Sequence, residues 1–202
     1  MSQPAFQAVV ARLVIDPDFR DLLRVKGVSA CESDLTGLEQ KRLATILFDK
    51  GLDVTRTLHK SFRLTKLYYT LPLTRVLLGP DRLAKLIGAF WKANPSVSHY
   101  FVDESIAFCE FLQNRLRAGL RIKYLTEIVA YERARLNLKR AQIGAEIPKA
   151  ELVRFCHDPT VLFEQLMEGK RPRDIPARSC TLVGTLDDEG EAQWAFAESF
   201  AS

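Results

Sequence analysis

The chain has 202 residues, of which 47% are apolar and 27% charged, and its formal net charge is +4. This length suits one large domain or a medium domain plus a small one, and the composition excludes a disordered chain. No apolar run approaches the roughly 18–20 residues that span a bilayer, and residues 1–6 lack the basic and apolar regions of a signal peptide. We therefore expect a cytoplasmic protein.

Capping signals predict a series of helices at the start of the chain. After a first amphipathic helix, Asp16 is an N-cap and Pro17 is the first residue of the second helix. Thr36 and Glu39 have the spacing of a capping box, which predicts a third helix. Asp53 is predicted to cap a longer fourth helix.

The segment Leu71–Ala84 contains the strongest helix breakers in the sequence. Pro72 can begin a helical turn, because its missing N–H has no partner at that position. Gly79 can end the turn with a positive φ, and Pro80 prevents continuation. Since its leucines are too apolar for an exposed connector, the segment is predicted to be a short buried helix around which longer helices pack.

Three further helices are predicted before the pattern changes. The first covers residues 81–93. The second is capped by Ser98 or Asp103 and ends at Gly119, and the third covers residues 120–138.

The last 50 residues predict a small sheet. A short alternating strand at 152–156 precedes a helix that Asp158 and Pro159 begin, and a β-hairpin follows with its turn at 187–190. The sequence therefore predicts an α+β fold, with an all-helical domain at 1–140, a linker at 141–150 and a β-α-β-β domain at 151–202.

The sequence contains no phosphate-binding loop, dinucleotide fingerprint, nucleophile elbow or zinc-protease motif. Cys156, His157 and Asp158 gather ligand-type side chains, but neighbours on a strand point to opposite faces. We predict no catalytic, cofactor-binding or metal-binding residue in this chain. The carboxylate pairs are interpreted as solvated or ion-paired helix positions; they are Asp103 with Glu104 and Glu127 with Glu132.

Two surfaces could bind a partner. A dense basic series is interpreted as a solvated, partly ion-paired face, as a site for an acidic protein, or as a site for nucleic acid. Its members are Arg115, Arg117, Arg121, Lys123, Arg133, Arg135, Lys139 and Arg140. The small sheet could bind an extended peptide at a free edge, unless the linker covers that edge.

Several short segments resemble a family of partner proteins for peptide-modifying enzymes. Leu71–Gly79, followed by Leu83, is similar to the family's proline-initiated Leu-Leu-Gly segment. Residues 124–132 resemble its Tyr-Leu…Glu helix, although Arg133 stands where an aromatic residue is common. Further similar segments are Asp16-Pro17-x-Phe19-Arg20, Phe90–Pro95 with Ser98 and Tyr100, and Val153-Arg154-Phe155-x-x-Asp158-Pro159.

Within that family, the short length and compact tail most resemble the partner proteins of methanobactin biosynthesis. The resemblance implies a heterodimer with a TIM-barrel oxidase that holds a multinuclear iron site. Together they would convert cysteines of a ribosomal precursor peptide to oxazolone–thioamide groups, for copper acquisition. The partner would bind the leader of the peptide, and the iron would belong to the other subunit.

The resemblance and the predicted sheet give two sets of candidate residues. The predicted peptide contacts are Arg154, Leu182, Val183, Trp194 and Phe196. The predicted partner interface uses residue types that dominate interface hot spots, namely Tyr68, Tyr69, Arg75 and Trp91, although Trp91 also suits the core. The alternative function is a helical regulator that binds nucleic acid.

Overall fold

The computed structural model describes residues 3–31, 34–94, 101–143, 150–187 and 189–197. Contacts divide the chain into two compact units, which we call the N-terminal unit (Met1–Leu64) and the C-terminal unit (Thr65–Ser202). The predicted α+β class is confirmed, because helices dominate and one three-stranded antiparallel sheet lies near the C-terminus. None of the described helices combines the length and apolar character that crossing a bilayer requires.

The N-terminal unit is helical in its described part. Its elements are α1 (Gln3–Ile15), α2 (Pro17–Lys26), a 3-10 turn (Val28–Ala30), α3 (Gly37–Leu47) and the first part of α4 (Lys50–Thr70). These elements bury one apolar cluster, made by Val9, Leu13, Phe19, Leu23, Leu43, Leu47 and Leu52.

Two of the predicted helix starts in this unit are confirmed. The Asp16 carboxylate accepts a hydrogen bond from the Phe19 N–H at 2.9 Å, and α2 begins at Pro17. Thr36 and Glu39 form the reciprocal capping box that begins α3. Local side-chain chemistry alone fixes both positions.

The predicted cap at Asp53 is wrong. Helix α4 begins at Lys50, and the carboxylate of Asp49 accepts the N–H of Gly51. Asp53 lies inside the first turn, where its carboxylate is 3.3 Å from the guanidinium of Arg56. The earlier acidic residue therefore has the capping role, because it is the one that precedes the first helical N–H groups.

The C-terminal unit contains the end of α4 and all later elements. These are α5 (Pro72–Ala93), α6 (Phe101–Arg117), α7 (Leu125–Ile143), β1 (Glu151–His157), α8 (Pro159–Met167), β2 (Ala177–Leu186) and β3 (Ala192–Phe196).

The breakers in α5 act as predicted, and its two pieces correspond to the predicted short helix and to the predicted helix at 81–93. Pro72 is its first residue, and Gly79 interrupts it with φ 69° and ψ 168°. Only glycine adopts that conformation readily. A second helical stretch then starts at Pro80 and continues to Ala93, so α5 is two helical pieces joined at a kink.

Two predicted boundaries around α6 and α7 need correction. Asp103 lies in the first turn of α6, which begins at Phe101, so it is not the cap, and Ser98 lies outside the described residues. Helix α7 begins at Leu125 rather than at residue 120, because the chain before it includes Tyr124 at a positive φ of 66°.

The predicted β-α-β-β order of the tail is confirmed. The strand order is β1-β2-β3, and both pairings are antiparallel. The Asp158 carboxylate accepts the Thr160 N–H at 2.9 Å, and Pro159 begins α8. In the predicted turn, the carboxylate of Asp187 accepts N–H groups of Glu189 and Glu191.

One core connects the helices and the sheet of the C-terminal unit. Buried side chains of α5, α6 and α7 belong to the same cluster as Val153, Phe155 and Leu182 of the sheet. By contacts, the sheet and these helices therefore form one unit. Residues 144–149 of the predicted linker lie outside the described residues, and the predicted domain boundary there stays a prediction.

Candidate functional site

The two faces of the sheet have different surroundings. Along β1, Val153 and Phe155 are buried, whereas Leu152, Arg154 and Cys156 are exposed. The register places Leu182 opposite Val153 and also opposite Phe196, so these three share the covered face.

The five predicted peptide contacts do not form one surface. Arg154 is exposed on the outer face, and Val183 lies on the same face because the register pairs it with the exposed Leu152. Leu182 is buried, and Trp194 and Phe196 pack against the same core from β3. The alternation of the strands is visible in the sequence, but the face that the helices cover is not.

Gly184 allows the indole of Trp194 to lie close to the sheet. The two residues are cross-strand partners, and a Cβ at residue 184 would be only 2.7 Å from the indole ring. Trp194 also packs against Tyr131 of α7, with ring centroids 4.9 Å apart. The ring is therefore held between β2 and α7.

β1 and β3 are the edge strands of the sheet, because β2 lies between them and pairs with both. At the end of β1, the N–H groups of Cys156 and His157 already donate to the carboxylate of Glu127. No side chain among the described residues bonds to the backbone of Ala192–Phe196. As far as the described residues show, the β3 edge is thus the better site for an added strand.

A cavity of about 440 Å³ lies beside β3, and we call it the polar cavity. Its walls are the β2–β3 hairpin, one side of α7 and the end of α4. The lining residues are Tyr69, Thr70, Tyr131, Arg135, Leu136, Lys139, Gln142, Leu186, Gly190, Glu191, Ala192 and Trp194. A strand added to β3 would direct alternate side chains towards this cavity.

A second cavity, of about 520 Å³, lies beside the first turns of α5, and we call it the apolar cavity. Its lining comes from α5, α7, α8 and Gly169, which is two residues beyond the end of α8. The lining residues are Pro72, Leu73, Arg75, Val76, Tyr131, Arg135, Phe163, Leu166, Met167 and Gly169.

Tyr131 and Arg135, one turn apart on α7, line both cavities. The Tyr131 ring lies between Phe163 and Trp194, with centroid distances of 4.5 and 4.9 Å. The guanidinium of Arg135 donates to the carbonyl of Thr70 at 2.6 Å. Contacts hold both side chains in place, and they form a ridge that borders both cavities.

The structure brings together three of the four predicted interface residues. Tyr69 is 76% exposed and lines the polar cavity, whereas Arg75 lines the apolar cavity. The Arg75 guanidinium lies 4.0 Å from the centre of the exposed Tyr68 ring. Trp91 is at the other end of α5, half-buried and packed against the core.

Glu132 has a structural role that the sequence analysis missed. It is fully buried, and its two oxygens accept the N–H groups of Leu73 at 2.8 Å and Thr74 at 3.0 Å. Burial raises the pKa of the Glu132 carboxyl, and the hydrogen bonds from Thr74 and Leu73 oppose that shift. The interpretation of Glu132 as solvated or ion-paired is therefore wrong, since it caps α5 from another helix.

Glu127, five residues earlier on α7, binds the end of β1. Besides the two N–H groups of β1, its carboxylate lies 3.0 Å from Nδ1 of His157. The His157 ring in turn contacts the edge of Tyr124, with centroids 4.8 Å apart. The signal in the sequence was a pair of carboxylates among apolar residues of a helix. Carboxylates that are buried at such positions need hydrogen-bond partners.

Other predicted polar residues are already engaged within the protein. Glu104 forms a buried ion pair with Lys66 at 3.6 Å, so its ion-paired interpretation is confirmed. In the basic series, Arg133 pairs with Glu110 at 2.9 Å and Arg135 binds Thr70. Within the described ranges, no group of three His, Cys, Asp or Glu side chains is arranged to hold a metal ion.

No protein-family model matches the chain, and a search of curated proteins finds no significant match. The support for a function therefore comes from the residues and their geometry, together with the segments that resemble the partner-protein family.

Proposed function

We propose that the chain is a non-catalytic partner subunit that binds the leader of a ribosomal precursor peptide. It would form a cytoplasmic heterodimer with an iron-dependent TIM-barrel oxidase, which converts peptide cysteines to oxazolone–thioamide groups. The segments quoted above support the partner and the chemistry. The observation that carries the peptide site is the position of the polar cavity directly beside the edge strand β3, whose backbone no described side chain binds.

Strand addition at β3 would use the backbone for affinity and the cavity for selection. An extended peptide pairs its backbone with an edge strand, and pockets receive alternate side chains. Here those side chains would meet Tyr69, Tyr131 and Trp194, with Arg135 and Lys139 at the polar positions. Trp194 would thus contact the peptide from the cavity wall.

The test begins with co-expression of the chain and the open reading frame adjacent to its gene. The proposal expects co-purification as a heterodimer, with the iron in the other subunit. A chain that stays monomeric beside that product would contradict it. So would a chain that binds a DNA duplex with a steep salt dependence, which is the result that the nucleic-acid alternative expects.

Leader binding is then measured by fluorescence anisotropy with a labelled synthetic leader. Its sequence is taken from the cysteine-containing peptide that is encoded beside the gene of this chain. Tyr69→Ala removes an exposed aromatic wall of the polar cavity, and we expect about tenfold weaker binding, since such anchors contribute more than about 1 kcal/mol. The matched control is Leu152→Ala, which removes an exposed side chain on the outer face of β1. Loss of binding in the control alone would move the site to the outer face.

A further inference from the structure

The exposed large apolar side chains of the C-terminal unit are concentrated around the two cavities. Among its described residues there are four: Tyr68, Tyr69, Leu152 and Met167. Met167 is 73% exposed and lines the apolar cavity, Tyr69 lines the polar cavity, and Tyr68 contacts Arg75 at the rim. Clusters of this kind mark binding surfaces, whereas single exposed apolar residues do not.

The charged side chains that line the apolar cavity are all positive. Arg75 and Arg135 line it, and none of the described Asp or Glu residues does. Contacts hold both guanidinium groups in place, one over the Tyr68 ring and the other at the Thr70 carbonyl. Such fixed guanidinium groups favour a carboxylate, which they bind with strong, directed hydrogen bonds.

The walls of the apolar cavity do not suit an extended peptide. The lining residues belong to three helices and to Gly169, and none belongs to a strand. A peptide there would find no strand edge to pair with its backbone. A single side chain carried on a folded element of another protein fits better, since such anchors fill preformed pockets at the centre of interfaces.

We propose that the apolar cavity is the anchor pocket of the partner interface. It would accept one large apolar side chain of the partner protein, with a neighbouring partner carboxylate bound by Arg75 and Arg135. This inference rests on the proposed function, because it assigns the place where the oxidase subunit docks. The peptide site and the docking site then lie on opposite sides of the ridge formed by Tyr131 and Arg135.

The test compares two substitutions of the same kind at similar exposure. Met167→Glu puts a carboxylate at the rim, where it removes apolar contact and competes for the arginines. Leu152→Glu makes the same change on the outer face of β1, where the side chain is 68% exposed. The dissociation constant of the heterodimer is measured by titration calorimetry with the purified product of the adjacent reading frame.

We expect Met167→Glu to weaken the heterodimer at least about tenfold, while Leu152→Glu and Met167→Leu leave it within about twofold. Unchanged affinity in Met167→Glu would overturn the anchor pocket but leave the heterodimer standing. Absence of any complex with the unsubstituted chain would instead contradict the proposed function. A homodimer of the chain alone that Met167→Glu dissolves would assign the pocket to a second copy and overturn the inference.

Discussion

The α4–α5 junction and the end of β1 are both held by a carboxylate of α7, but in different surroundings. At the junction, Glu132 is fully buried and accepts two N–H groups of a helix start. At the end of β1, Glu127 accepts strand N–H groups beside the partly exposed His157 and the exposed Cys156. The carboxylate at the α4–α5 junction is therefore shielded from water, whereas the one at the end of β1 is 8% exposed and has exposed neighbours.

Because their surroundings differ, we expect the two carboxylates to contribute unequally to the stability of the C-terminal unit. A buried N–H that loses its acceptor costs the full desolvation penalty, whereas an N–H near the surface can bind water. Both tryptophans, Trp91 and Trp194, belong to the C-terminal unit, so their fluorescence follows the unfolding of the unit that contains both carboxylates.

The largest effect is expected for Glu132→Ala. This change leaves the N–H groups of Leu73 and Thr74 buried without an acceptor, and we expect a loss of about 2–5 kcal/mol in the free energy of unfolding. Urea titration followed by tryptophan fluorescence measures it. Glu127→Ala is the matched comparison, with an expected loss of about 1–2 kcal/mol. Equal losses would show that burial does not distinguish the two places.

Gly79→Ala, at the kink of α5, should have an intermediate effect on the stability of the C-terminal unit. The substitution forces a side chain into a positive-φ conformation, which costs on the order of 1–3 kcal/mol. Gly88→Ala is the control on the same helix, because Gly88 is exposed and an added Cβ there meets no atom within 4 Å. It should stabilise the unit by about 0.5–1 kcal/mol, since alanine favours a helix. A stabilising Gly79→Ala would mean that the kink is not required.

The smallest effect is a pH dependence at Glu132. Burial raises the pKa of its carboxyl in the folded protein above the ordinary value of 4.5. The folded state then binds the proton more tightly than the unfolded state does. The free energy of unfolding therefore falls as the pH rises from about 4.5 through the raised pKa.

Glu132→Gln cannot titrate and isolates this contribution. The stability of the unsubstituted chain relative to Glu132→Gln should be greatest below pH 4.5 and should decrease as the pH rises. Urea titrations across that interval measure the difference. A difference that grows with pH would contradict the raised pKa, because it would mean that the ionised carboxylate is the form that folding favours.

The sequence predicted those features that depend on neighbouring residues. The cap at Asp16, the capping box at Thr36, the kink at Gly79 and the turn at Asp187 all follow from side-chain chemistry within a few positions. The α+β class followed from the change of periodicity near the end of the chain. Local rules suffice for these features because each partner lies within one turn.

The sequence could not predict contacts that join distant segments. Glu132 is 59 residues from Leu73, and neither position carries a local signal of the other. The sequence also does not show which face of the sheet α7 covers. The predicted peptide contacts therefore combine Trp194 and Phe196 of the covered face with Arg154 and Val183 of the outer face. Both cavities also escaped prediction, because their walls come from elements that only the fold brings together.

The link between Glu132 and α5 also sets an order of events as the chain is made. The first turn of α5 leaves the ribosome about 60 residues before its acceptor does. Until then its N–H groups can bind only water, and the preceding carbonyl of Thr70 lacks its arginine, which comes 65 residues later. The junction can therefore close only after α7 has been synthesised, so a nascent chain that stops before α7 exposes the apolar residues on which the C-terminal unit is built.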